Sequence, residues 1–404
     1  MDDNKQQQDK ITPRVLARKL REKGIVYCIK AALRMAYQYV GSHERHFLTP
    51  LKFMVNLFRF LFSRKTERII LGVWDYKTIP WSIGDLLYFI ETLSVLKLKH
   101  GADKVDVCVV CESENPAGNR GYKNITPGNF RYQLFNLLPL ISTSPYLGSM
   151  FQFDSRAEFY SFLRHSINKY EIYPPINQQL AETFNFYGGA TLKEIQDFYR
   201  EHAYIPYLTI DDYHLSWAYD FYETRAKGLL PVVVSLRWHP HAKPERNAER
   251  DVWLGFFDLC KSAFPEVAFV VVGTRGEVFE ELRRCHNVIV AKDHGSTLLD
   301  DLALIRTSLL YMGRESGVSE IAVFSDVPYL LFGREEIARE AWGLEPDTNY
   351  EFATEHQKAF YASSFVITPD SLLREFSNLY NQLDTDKWRK KASESKSTPY
   401  TFAI

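Results

Sequence analysis

Short runs of β-branched and aromatic residues alternate twice along this chain with segments whose apolar residues recur at helical spacing, and this alternation restricts the fold more than any other feature. In the first series, Arg68 to Val73 (RIILGV) reads as a buried strand and Trp74 to Ile83 as a loop. Gly84-Asp85 then opens a helix, DLLYFIETLSVLKLKHG, and a second strand follows at Lys104 to Val110. A strand-helix-strand unit of this kind implies a parallel sheet with a right-handed crossover. The second series starts at Pro231 to Ser235 (PVVVS) and passes through a polar loop at Arg237 to Arg250. It continues with a helix at Asp251 to Phe264 and a strand at Ala268 to Val272 that ends on Gly273. A helix is expected at Glu277 to Arg284, a strand at Asn287 to Val290 and a helix at Leu298 to Ile305. The last unit is the densest: a strand at Leu309 to Met312, the loop Gly313-Arg314-Glu315-Ser316-Gly317, a helix at Glu320 to Phe324 and a strand at Pro328 to Phe332. Between the two series, residues 112–130 read as a long loop and residues 155–203 as mostly helical.

At 404 residues the chain exceeds one ordinary core, and the two series predict two doubly wound α/β domains. The break is expected near residues 205–230. Residues 1–66 read as a basic, amphipathic helical segment, 67–215 as the first domain, 216–385 as the second and 386–404 as a polar tail. A composition 46% hydrophobic and 25% charged is that of a folded protein rather than a disordered one. Cysteines at 28, 108, 111, 260 and 285 form no disulfide framework, which fits a reducing cytoplasm. Cys108 and Cys111 make a CxxC within VDVCVVC, but no second Cys or His pair lies near, so both read as strand side chains.

The net charge of −1 is unevenly spread: residues 1–68 hold 15 Lys and Arg against 6 Asp and Glu, a net +9, which leaves −10 for the remainder. Within this region Phe47 to Phe62 (FLTPLKFMVNLFRFLF) is strongly apolar yet interrupted by Lys52, Asn56 and Arg59. It is shorter than the about 20 residues that a membrane span needs. Two readings fit equally: a helix packed on the protein, or a peripheral contact of residues 25–65 with an anionic inner-membrane surface. No cleavable signal is expected, because the first apolar run follows a long polar start. The near-neutral total and the lack of a recognisable module argue against nucleic-acid binding.

Three loops of the second series leave strand ends on one edge, the edge at which parallel sheets bind ligands. They are Ser235 to Asn247, Gly273 to Glu277 and Gly313 to Ser319. The first carries Arg237, Lys243 and Arg246, cations suited to a pyrophosphate. The third offers backbone N–H groups and the Ser316 hydroxyl at a helix start, with Gly317 allowing close approach. Together they predict a site for a nucleotide diphosphate, although Ser316 and Gly317 also fit an ordinary cap and turn. Glu315 and Glu320 are candidates to accept hydrogen bonds from ribose or sugar hydroxyls. In the first series Asp85 is either a helix-start residue favoured by the dipole or a carboxylate that acts as general base on an acceptor hydroxyl. His239 and His241, near the phosphate loop, are the alternative bases; they alternate faces in an extended chain, so they are not expected to share a metal, and neither metal nor other cofactor is expected.

From Pro231 to Gly333 the chain resembles the C-terminal domain of GT-B glycosyltransferases, in particular the heptosyltransferase family of bacterial lipopolysaccharide synthesis. The family pattern is matched by Ser235 with Arg237 and Lys243, by Gly273 with Glu277, and by the leucine-rich segment Leu298 to Leu304. It is matched again by Glu315-Ser316-Gly317 followed by Ala322, Pro328 and Phe332-Gly333. The family's N-terminal Gly-Asp, whose Asp is taken as the catalytic base, is matched by Gly84-Asp85. Two positions depart: Glu315 stands where the family has Asp and Glu320 where it has His, so heptose specificity is not carried over. Arg237 with Arg246-Asn247 is similar, more faintly, to the diphosphate-binding arginine of GT-B fucosyltransferases, which keeps GDP among the nucleotides. The resemblance implies two Rossmann-like domains facing a cleft and a metal-independent transfer from a nucleotide-sugar donor to a glycan or lipid-linked acceptor. It further implies a place in bacterial surface polysaccharide or lipopolysaccharide biosynthesis, on the cytoplasmic side of the membrane. A nucleotide-sugar 2-epimerase of the same fold and a non-catalytic glycan-binding or scaffold subunit are the alternatives.

Overall fold

The computed structural model describes residues 67–77, 79, 82–111, 128–166, 169–177, 189–238, 247–333, 348–360 and 365–395. The basic segment 1–66 and the loop positions Lys243 and Arg246, with His239 and His241, lie outside the described residues. Residues Glu67–Ile404 form one compact unit.

Four parallel strands, β1 (Ile69–Asp75), β2 (Lys104–Val110), β3 (Leu147–Phe153) and β4 (Tyr170–Tyr173), make the first sheet in the order β3-β2-β1-β4. Helix α1 (Ile83–Lys99) links β1 to β2, α2 (Phe130–Leu137) precedes β3, α3 (Arg156–Ser166) links β3 to β4, and α4 (Gly189–His202) and α5 (Asp212–Phe221) lead to the second sheet. There the chain runs β5 (Leu230–Ser235), α6 (Arg250–Ala263), β6 (Val267–Val272), β7 (Val288–Val290), α7 (Leu298–Thr307), β8 (Leu310–Arg314), α8 (Glu320–Val323), β9 (Tyr329–Phe332) and β10 (Gln357–Phe360). Helices α9 (Pro369–Tyr380) and α10 (Thr385–Ser395) follow. The strand order is β10-β9-β8-β5-β6-β7, again all parallel. The two-sheet α/β architecture expected from the sequence is the one the chain adopts.

Strand side chains alternate between cores, as buried parallel strands must. Leu71 and Val73 of β1 pack outward with Phe159 and Leu163 of α3. Ile70 and Trp74 face inward, into a core that also holds α1 and residues of the second sheet such as Val233, Tyr311 and Leu331. On the far side of the second sheet, Val232 and Val234 pack with Trp253 and Phe256 of α6 and Phe376 of α9. Helix α1, whose apolar residues recur at helical spacing, is buried continuously from Leu86 to Leu96. It lies against the sheet on one side, where a Cβ on Gly72 would collide with Leu93, and against α4 and the loop after β8 on others.

Several expectations are corrected. The helix expected at Glu277 to Arg284 is two short 3-10 turns, Arg275–Glu277 and Glu280–Arg284, because Glu277 is drawn back to cap Thr274. The mostly helical stretch contains an edge strand, Tyr170–Tyr173. Gly313 and Arg314, expected in the loop, extend β8. The start of the expected polar tail is helical, and Trp388 on α10 donates its indole N–H to the Thr307 carbonyl at 2.9 Å. Cys108 and Cys111 are buried free thiols, pushed by burial up to about 12. Among the described residues no helix is long and apolar enough to cross a membrane.

Three polar residues sit inside α1. Thr92 donates to the Tyr88 carbonyl at 2.8 Å and Ser94 to the Ile90 carbonyl at 3.0 Å, so both are satisfied within the helix. Glu91 is fully buried, and neither carboxylate oxygen meets a hydrogen-bond donor among the described residues. Burial pushes its carboxyl well above the ordinary range, so the protein folds with Glu91 protonated. The unfolded chain releases that proton above the ordinary carboxylate pKa while the folded chain keeps it. Stability therefore falls as pH rises between the two values, by up to about 1.4 kcal/mol per pH unit. In thermal unfolding from about pH 5 to about pH 8, Glu91→Gln should gain on the native chain steadily as pH rises. A gap between the two that stays constant with pH would contradict a buried, protonated Glu91.

Candidate active site

Parallel pairing of β5 with β8 sets Ser235 beside Gly313, and with it the loops that leave both strands. A Cβ on Gly313 would collide with the Ser235 carbonyl oxygen and stand 3.0 Å from its amide nitrogen, so the two backbones approach as only glycine permits. This approach lets Ser235, on the last turn of the pleat, reach the next loop. Ser235 Oγ and Ser316 Oγ share a hydrogen bond of 2.8 Å. The Tyr311 hydroxyl is buried without a hydrogen-bond partner of ordinary geometry among the described residues; burial pushes it up, and the Ser235 and Ser316 hydroxyls pull it back. Ser316 also caps the 3-10 turn Gly317–Ser319, and its own amide is met by Ser319 Oγ at 3.3 Å. The expected cap and the expected cluster at the strand end are thus the same residue.

Arg237 and Asn247, ten residues apart, are brought together: Arg237 Nη1 donates to Asn247 Oδ1 at 2.9 Å, and the Ala248 amide donates to the Arg237 carbonyl at 2.8 Å. In the second loop Gly273 has φ +130, which only glycine adopts easily, and its amide donates to Asp301 Oδ2 at 3.3 Å. Burial pushes the Asp301 carboxyl up; Lys292, 3.0 Å away, and Ser296, 2.7 Å away, oppose that shift. Glu277 accepts from the Thr274 amide at 2.8 Å and the Thr274 hydroxyl at 2.9 Å. Its carboxylate shapes the turn while remaining half-buried.

Asp85 is the third residue of α1. Its amide donates to Ser82 Oγ at 3.0 Å, and Ser82 Oγ donates to its Oδ2 at 2.5 Å. This reciprocal cap fixes the carboxylate at the helix start, where the dipole favours a negative charge. The same turn meets the second sheet. A Cβ on Gly84 would stand 3.3 Å from Gly317 Cα, and one on Gly317 would stand 2.7 Å from the Gly84 nitrogen. The C-terminal edges of the two sheets therefore touch where Asp85 and Ser316 lie. Glu315 and Glu320 are only 1% and 4% exposed. Glu320 lies against α1, its Cγ 3.6 Å from where a Gly84 Cβ would be.

Three groups near the strand ends escape the sequence reading. Tyr311 is signalled by nothing more than a tyrosine in a strand. The Lys292–Asp301 pair joins residues of no recognised motif. Asp75, the last residue of β1, accepts from Arg156 Nε at 2.7 Å and from the Lys77 amide at 2.9 Å. A charged residue closing an apolar run was the available signal there. Among the described residues no three His, Cys, Asp or Glu side chains are grouped so as to hold a metal ion.

No family model matches the chain, and no curated protein matches it in sequence. Among solved structures, the glycosyl transferase family 9 protein of Veillonella parvula is similar over 78% of this chain and 97% of its own, with 11% identity and a TM-score of 0.49. ADP-heptose lipopolysaccharide heptosyltransferase II of E. coli is similar over 78% of this chain and 99% of its own, with 12% identity and a TM-score of 0.49. A putative UDP-N-acetylglucosamine 2-epimerase of Listeria monocytogenes covers 81% of this chain and 91% of its own, with 11% identity and a TM-score of 0.35. At such identities the chemistry of the site has to come from this chain's own residues.

The Gly313 approach is the part of the site most open to direct test. Gly313→Ala should part β5 from β8 and lower stability by roughly 3 kcal/mol in denaturant unfolding. Gly276→Ala, where a Cβ meets nothing within 4 Å, should change it by less than about 0.5 kcal/mol.

Proposed function

We propose that the chain is a glycosyltransferase that moves a sugar from a nucleotide-diphosphate donor, held by the second sheet, to a hydroxyl of a glycan or lipid-linked acceptor beside the first. The observation that carries this reading is the meeting of the two strand-end edges at Gly84 and Gly317, which sets a capped carboxylate, Asp85, beside a hydroxyl- and amide-bearing loop. Ser316 and Gly317 would face the donor phosphates through hydroxyl and N–H. Arg237, steadied by Asn247, would add a guanidinium, with Lys243 and Arg246 of the same loop as further cations. Positive groups placed where negative charge builds up on the leaving diphosphate lower the barrier without reorganising during the step. Asp85 would take the proton from the acceptor hydroxyl in an inverting transfer. The sequence pattern shared with heptosyltransferases supports a place in bacterial surface polysaccharide or lipopolysaccharide assembly.

A second reading, a glycan-binding or scaffold subunit without turnover, gains from the burial of Glu315 and Glu320, which removes two polar groups from the donor side. Calorimetry with UDP, GDP and ADP separates the two readings: binding of none favours the subunit without turnover, whereas the transferase reading expects one of them to bind. With that ligand, Arg237→Ala should weaken binding about 10- to 100-fold, the loss of one charge-assisted contact. With donor and acceptor identified, Asp85→Asn should lower kcat by about 100-fold or more. Unchanged binding in the first variant removes Arg237 from the site, and retained turnover in the second removes the base. Turnover of a donor sugar without acceptor would instead mark a 2-epimerase.

The basic segment would hold the enzyme at an anionic surface, where a lipid-linked acceptor is presented. Its net +9 over residues 1–68 is the support for this. The full chain should sediment with vesicles rich in anionic lipid, stay free of neutral ones, and be released at about 0.5 M salt, where charges are screened within a few ångströms. Binding that ignores lipid charge would count against the electrostatic attachment.

A further inference from the structure

The transfer reading needs Asp85 and the Ser316–Gly317 loop at a fixed separation, because they belong to different sheets and reacting groups misplaced by about 1 Å lose much of their rate. Three observations show what sets that separation. First, Gly84 and Gly317 touch, and Glu320, buried at the start of α8, packs against the Gly84 position with its Oε1 3.9 Å from where a Cβ would be. Second, Tyr88, one turn along α1 from Gly84, crosses to the other half. Its ring meets Phe324 edge-on with centroids 4.8 Å apart, and its hydroxyl lies 3.2 Å from the Tyr350 hydroxyl. Third, the residues around Tyr350 grip the first half in succession: Glu351 pairs with Arg200 of α4, with Nε to Oε2 at 2.6 Å, and Phe352 meets Tyr199 at 6.4 Å.

Glu320 sits within this contact. Burial is the largest influence on the hydroxyls of Tyr311, Tyr329 and Tyr350 and pushes all three up, and the Glu320 carboxylate adds to it in each. The same carboxylate thus acts on the Tyr311 hydroxyl of β8 and on the Tyr350 hydroxyl that faces Tyr88 of α1, while its stem packs on the Gly84 position. We propose that Glu320 and the Tyr88–Tyr350 hydroxyl pair are positioning groups that hold the start of α1, and with it Asp85, in register with the Ser316–Gly317 loop. This role differs from the sugar contact expected of Glu320. It rests on the transfer reading only for its catalytic consequence, since the mechanical coupling exists without substrate.

The test separates those two parts. In amide hydrogen exchange on the full chain, Tyr88→Phe and Glu320→Gln should each speed exchange about tenfold in both 83–88 and 316–320, with other segments as protected as before. Faster exchange in one segment alone, in all segments equally, or in neither would overturn the proposal. Tyr88→Phe keeps the ring on Phe324, so it remains informative if Glu320→Gln does not fold, and Tyr350→Phe repeats the test from the other side. With an identified donor and acceptor, the same variants should lose kcat about tenfold while donor KM and nucleoside diphosphate affinity stay within about twofold. Wild-type kcat, or a loss confined to donor affinity, would overturn it as well. If the native chain turns over no donor, the transfer reading falls while the exchange result still decides the coupling.

Discussion

Helix α1 has no face in water between Leu86 and Leu96, and the rest of the molecule is arranged around that constraint. A helix on one face of a sheet normally keeps a polar side for solvent, which gives it room to shift. Here the sheet, α4 and the loop after β8 enclose it, and Gly72 and Gly317 lack side chains at the closest approaches. Interiors packed to the density of organic crystals do not deform smoothly. The spacing between the two sheets is consequently set by one helix. Only its two ends, Ile83 to Asp85 and Lys97 to Lys99, reach the surface, and the first of them carries the carboxylate.

The buried interface is also where polar groups separate by circumstance. Asp301 and Glu91 are both acids deep in the protein, and burial raises the carboxyl of each. Asp301 is met by Lys292, Ser296 and the Gly273 amide, so its charge is used to hold a turn in a conformation that only glycine tolerates. Glu91 meets no hydrogen-bond donor among the described residues and gives up its charge. The residue type is nearly the same, and the neighbours decide the state.

Sequence pattern recovers the central strands well, because β1, β5 and β6 are almost wholly apolar runs and β2 is one apart from Lys104 and Asp106, which is what burial on both faces demands. It recovers edges poorly. Tyr170–Tyr173 and Gln357–Phe360 are short and half-exposed, and they become strands only because β1 and β9 present a free side to pair with. The site divides in the same way. Ser235, Arg237, Asn247 and Ser316 are legible as loop residues at strand ends. That Ser235 and Ser316 bond each other follows from the adjacency of β5 and β8, a fact of strand order that no local pattern contains. The burial of Glu320 is hidden for a similar reason: the tyrosines on which its carboxylate acts come from two strands and a loop.

The clasp between Arg237 and Asn247 has a consequence for how the loop between them works. Its ends lie ten positions apart in sequence and one hydrogen bond apart in space, with the Ala248 amide closing the same mouth. The entropy lost in bringing two chain ends together grows only with the logarithm of loop length, so most of it is spent in the first closure. The protein makes that closure in its own fold. Nothing has to bind for Arg237 and Asn247 to be drawn together, because the fold itself holds the two ends of this stretch at hydrogen-bond distance.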